Sequence, residues 1–166
     1  MSTSVSSTHL PPIGEPARHE TGASLQATLV ELIDLSLAGK QLHWSVVGPQ
    51  FRPLHLQLDE LIDEWRDMAD TVAERSVAID EFPDGQASAV VAGREDLEEV
   101  AAGRVADHDV VRDLAHRIAV VVEHTRARMD RIGDLDLVSQ DVLIEVVRGL
   151  EKQLWMVRAQ LSPQDA

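Results

Sequence analysis

Five side chains form the densest polar constellation of this sequence: His43, His55, Asp59, Asp70 and Glu74. Two imidazoles and three carboxylates make a mixed nitrogen and oxygen donor set, which suits a borderline divalent ion such as Fe2+. Taken singly, none of the five is diagnostic, because helix carboxylates are usually solvated and a lone helix-end histidine usually binds nothing. Spacing makes the set informative. His55 and Asp59 stand four apart, as do Asp70 and Glu74, so each pair shares a helix face. Eleven positions separate Asp59 from Asp70, about three turns, which keeps the pairs on nearly one face but about 16 Å apart along the axis. Metal–donor bonds of about 2.0–2.2 Å cannot bridge that gap, so one chain cannot close a single site from all five. A two-fold partner with its second helix antiparallel would bring its own Asp70 and Glu74 to His43 and His55, making two equal sites per dimer.

Those positions require long helices. Residues 1–21, with Pro11, Pro12, Gly14 and Pro16, read as a disordered arm. Ser24 is the expected cap of a first helix to about Val47, on the spacing of Leu25, Leu29, Leu32 and Ile33. Gly48-Pro49 breaks it. A second helix fits about Phe51–Ile79, with Leu54, Leu58, Leu61, Ile62, Trp65, Ala69 and Val72 as its apolar stripe. A loop marked by Pro83 and Gly85 follows, with a short helix expected at Arg94–Ala102. A third helix fits about Asp107–Ile132, stopped by Gly133 as a helix-ending glycine. Asp136 or Ser139 caps a fourth, ending near Leu161 before Pro163. No strand pattern competes. The expected fold is all-α, an antiparallel four-helix bundle over 22–162 followed by a short tail at 163–166. The longer link between the second and third helices would cross the length of the bundle.

Composition narrows the chemistry. The chain has 166 residues, 44% of them hydrophobic, enough for one folded domain. It has no cysteine, which excludes thiolate metal sites, disulfides and cysteine nucleophiles. A reducing cytoplasm is compatible with that. No apolar run reaches the length of a membrane span, and the first twenty residues lack a secretory pattern. The formal charge of -14 disfavours broad contact with nucleic acid or anionic membranes.

The stretch Gly39-Lys40-Gln41-Leu42-His43-Trp44-Ser45-Val46-Val47-Gly48-Pro49-Gln50-Phe51 resembles the signature of the Dps family of miniature ferritins. So do Leu54–Glu60 and Asp70–Arg75, with the family's spacing throughout, and Leu150–Ala159 resembles its last helix. The resemblance covers about residues 24–161. It is specific, because five ligand positions and the contexts of Trp44 and Trp155 agree together. It implies a hollow homododecamer of ferritin-like four-helix bundles in the cytoplasm, with ferroxidase sites between subunits. Carried over, His43, His55 and Asp59 come from one chain and Asp70 and Glu74 from its neighbour. The implied activity is oxidation of Fe2+ by hydrogen peroxide or dioxygen, preferably peroxide, with the ferric product stored inside. Trp44 is then either a sink for stray oxidising equivalents beside the site or a plain core residue.

Near the fourth helix, Asp136, Asp141 and Glu145 have two readings: capping and dipole stabilisation, or, by the family resemblance, the lining of a three-fold iron-entry pore. An ordinary ferritin site is not expected, since it needs Glu-x-x-His on two helices and none occurs here. His108, His116 and His124 step by eight residues, turn off one another's face, and read as surface or isolated core residues. The rival functions are DNA compaction and a helical assembly without metal chemistry. The five-ligand set argues against the second, and the tails lack the basic residues that the first requires.

Overall fold

Two long helical hairpins, side by side, make up most of the structure, a computed structural model that describes residues 13–161. Helix α1 spans Glu15–Ser45 and α2 spans Phe51–Ala78. Helix α4 spans Asp107–Ile132 and α5 spans Leu137–Arg158. A short helix, α3, occupies Ala87–Ala92 in the connection between the hairpins. Helix α1 packs against α2 and α4, and α5 packs against α4 and α2. The four long helices therefore enclose one core, and the expected bundle is present.

Two residues at the end of α1 extend into a strand, β1 (Val46–Val47), which pairs in parallel with β2 (Val105–Ala106) just before α4. The pairing is unforeseen, because two residues carry no legible alternation. It settles the topology. Helices α2 and α4 both leave from neighbouring parallel strands, so they start at the same end of the bundle. The intervening segment must travel the full length of α2, about 42 Å for 28 residues.

The first helix begins nine residues before the expected cap. Pro16 lies in its first turn, where proline's missing N–H has no helical partner to lose and its fixed φ suits the helix. Ser24 is buried inside the helix and caps nothing. The arm expected over 1–21 thus loses Glu15–Thr21 to α1, and its first twelve positions lie outside the described residues. The crossover helix also lies earlier than expected. The run Ala87–Ala92 buries Val90, whereas Asp96 takes left-handed geometry (φ 57) that interrupts any helix through 94–102. Gly133 ends α4 without left-handed geometry (φ -59); the amides of Leu135 and Asp136 fold back to the Ile132 carbonyl instead.

The core is aliphatic around one aromatic. Trp65 is fully buried and its indole N–H donates to Gln153 Oε1 at 2.8 Å. Gly39 on α1 makes room for it: a Cβ there would lie 2.6 Å from the Trp65 ring and 3.1 Å from Ile62. Among the described residues, no helix is long and apolar enough to cross a membrane.

Candidate metal centre

The turn between α1 and α2 positions the two key imidazoles. Gly48 takes φ 136, a left-handed value that glycine tolerates, and any Cβ there would strike the Asp107 carboxylate at 2.5 Å. Asp107 fixes the turn by accepting the Gln50 amide at 2.7 Å. With the chain reversed this tightly, the last turn of α1 faces the first turn of α2.

There His43 and His55 hold each other. His43 Nδ1 lies 3.0 Å from the His55 carbonyl, and His55 Nδ1 lies 3.0 Å from the His43 carbonyl. A carbonyl oxygen only accepts, so each Nδ1 carries the proton and donates. In a neutral ring Nε2 then keeps its lone pair, which is the tautomer a metal-ligating imidazole needs. The rings stack, with centroids 3.6 Å apart. Burial, opposed by the bond to the His55 backbone, holds the His43 imidazole below its ordinary pKa, with the neighbouring His55 and Lys40 charges adding to the lowering. It is neutral and ready to bind a cation.

Asp59 completes the local group, 3.4 Å from His43 Nδ1. Its Oδ1 accepts from Lys40 Nζ at 2.6 Å, and this bond is the main reason its carboxyl lies below the ordinary range. Lys40 belongs to the same motif, and the spacing of the donors does not reveal its role; it holds a positive charge where a metal ion bound to Asp59 would place one.

Asp70 and Glu74 stand exposed further along α2, without an ion pair among the described residues. The structure thus brings together three of the five sequence-derived ligands and leaves two apart. His43, His55 and Asp59 do not by themselves enclose an ion: the one group of three donors among the described residues whose ligand atoms lie within 4.8 Å of one another is elsewhere, at Glu31, Glu95 and His124. His124 therefore departs from the reading of it as an isolated residue. His108 and His116 are exposed, as expected.

Trp44 is 70% exposed in the protomer, so plain core packing does not describe it. Asp136 takes the capping role, one of the two readings open for it. It is buried, accepts from the Val138 and Ser139 amides as the cap of α5, and pairs with Arg75 at 2.6 Å. Asp141 is exposed and Glu145 pairs with Arg148 at the surface, 2.6 Å apart.

Residues 22–164 match the ferritin-like domain. The DNA protection during starvation protein of Mycolicibacterium smegmatis is 36% identical over 154 residues, 92% of this chain and 83% of that protein. Among solved structures, DpsA14 from Streptomyces coelicolor superposes with a TM-score of 0.87 at 37% identity, covering 94% of this chain and 93% of its own. A Dps from Microbacterium arborescens, solved in a high-iron form, gives 0.84 at 30% identity, covering 90% of this chain and 97% of its own.

Proposed function

The chain belongs to the ferritin-like family, within its Dps branch, and from that premise we infer that it stores iron and protects DNA by removing the reactants of oxidative damage. It oxidises Fe2+ at sites shared between subunits and holds the ferric product inside a hollow homododecamer in the cytoplasm.

The reciprocal bonding of His43 and His55 is the observation that carries this reading. It engages Nδ1 of both imidazoles and leaves Nε2 as the nitrogen available to a metal, beside a carboxylate. Asp70 and Glu74 of a neighbouring subunit supply the remaining charge. Ferrous iron is the substrate here. Two ferrous ions provide the two electrons that reduce one peroxide to water, so no hydroxyl radical is released. Lys40 leaves Asp59 when the ion arrives, keeping the local charge nearly constant.

The exposed apolar side chains fit such an assembly. Trp44, Val47, Phe51 and Leu56 border the two histidines in sequence, all at least 39% exposed. Leu137, Val138 and Ile144 do the same around Asp141. Apolar groups beside polar ones are what an interface with a polar site within it requires. Asp141 and Glu145 are the carboxylates proposed for the iron-entry pore, and Trp44 is proposed to intercept stray oxidising equivalents at the covered site.

The test is ferric absorbance after peroxide is added to anaerobic, Fe2+-loaded protein. In the double variant His43→Ala/His55→Ala the rate falls about 10-fold or more, the scale on which tuned ligand shells act. A wild-type rate in an assembled, folded variant removes the assignment.

A further inference from the structure

On the opposite hairpin pairing, α1, α4 and the crossover segment converge on His124. Its Nδ1 lies 2.7 Å from Glu31 Oε1 and its Nε2 lies 3.3 Å from Asp96 Oδ2. Two carboxylates at the two ring nitrogens call for a positive charge between them, supplied either by a second ring proton or by a bound cation in its place.

Charge around the ring points the same way. Glu31 is 5% exposed and its carboxylate is gripped by Arg128, with Nη1 at 2.5 Å and Nη2 at 2.8 Å. That guanidinium balances one carboxylate. Glu95 and Asp96 add two more, and the adjacent cation, Arg94, is engaged by Asp34 and Glu99. Glu31, Glu95 and Asp96 set against Arg128 leave two negative charges beside the ring, a surplus that a divalent ion complements. Asp96 reaches the ring from a left-handed backbone conformation, φ 57, that an L-residue rarely adopts.

We propose that Glu31, Glu95 and His124 form a second metal site, for a borderline divalent ion such as Zn2+, distinct from the His43/His55 centre. One imidazole nitrogen with carboxylate oxygens is a donor set such ions accept. The three ligand atoms already lie within 4.8 Å of one another. Ligands on a common ion are about 3.4 Å apart in tetrahedral geometry, so closure needs movement of about an ångström. Glu95 is exposed and supplies it. Arg128 and the buried wall of α1 hold Glu31 in place, as outer groups do for a ligand. The ion would tie the crossover segment to both hairpins. It does not depend on iron oxidation.

The experiment uses the full-length assembled protein with His43→Ala and His55→Ala, so that the first centre does not contribute. Zn2+ is measured by equilibrium dialysis at pH 7.5, with and without Glu95→Gln and His124→Gln. The expected result is a loss of about one equivalent per subunit in the doubly altered protein, with zinc-edge anomalous density among Glu31, Glu95 and His124 in soaked crystals of the parent. Zn2+ also raises the melting temperature of the parent and not of the variant. Glu95→Gln alone, at an exposed position, leaves the Glu31–Arg128 pair intact and serves if the double change disturbs folding. Unchanged stoichiometry, or anomalous density elsewhere only, overturns the site.

Discussion

Asp136 and Asp141 stand five residues apart and do different work. Asp136 is buried between Ser139 and Arg75. Burial alone would raise its carboxyl, but the hydrogen bonds from Ser139 and Arg75, with the Arg75 charge, outweigh it and hold the group below its ordinary value. A carboxyl depressed in the folded state stabilises the fold above its unfolded pKa, about 3.9, and that contribution disappears as pH falls through the folded value. Asp136→Ala is expected to cost about 2 kcal/mol or more at neutral pH, through the lost cap and the stranded guanidinium. Urea unfolding at pH 7 measures it, and the same variant should show a flatter acid limb below about pH 4. Asp141→Asn should leave stability nearly unchanged and slow iron uptake at low ionic strength, where a ring of carboxylates attracts cations best. Unchanged uptake kinetics would leave Asp141 without the pore role. In the candidate metal centre, proximity was legible where spacing and a short turn decide it, as for His43, His55 and Asp59. The Lys40 bond and the Glu31–His124 pair were not. They depend on side-chain reach between elements 19 and 93 positions apart, which no sequence period encodes.

Between elements, the α1–α2 seam depends on Gly39. A methyl group there meets Trp65 at 2.6 Å, and Trp65 is fully buried and hydrogen-bonded, so neither side gives way easily. Gly39→Ala should cost about 1–3 kcal/mol by overpacking, against the small gain in helix propensity that alanine brings elsewhere. A lower urea midpoint with an unchanged slope is the expected signature; an unchanged midpoint would mean the seam has slack. Helices α2 and α4 were legible nearly to the residue, because their stripes are strongly periodic and their ends coincide with breaks in the pattern. The start of α1 is hidden in the sequence because the helix is buried on most faces, including at Glu31 and Asp34, and so shows little periodicity. Proline was read there as a breaker although it occupies the one turn that accepts it. The crossover helix was misplaced because a six-residue helix is too short for any period to register.

For the whole molecule, charge decides what surrounds it. Each chain carries a formal -14, and the proposed homododecamer would multiply this. DNA affinity comes largely from lysine and arginine neutralising phosphates, and here acidic residues outnumber basic ones 29 to 15. Little or no DNA binding is therefore expected at about 0.15 M salt and pH 7.5, with a chelator present to prevent divalent bridging. A gel shift at sub-micromolar protein would contradict this and favour compaction. On the proposed function, protection is then chemical, by consuming Fe2+ and peroxide before they meet DNA.

The parallel pairing of Val46–Val47 with Val105–Ala106 also orders events in time. The partners are about sixty positions apart, so forming the pair closes a long loop and its entropy must be met before the contact rewards it. The helical hairpins, built from near neighbours, have no such delay. The turn that aligns His43 with His55 touches this pair on one side and Asp107 on the other. Alignment of His43 with His55 is thus expected to lag behind helix formation, so a newly made chain presents its half of the proposed metal centre only after its crossover segment has docked.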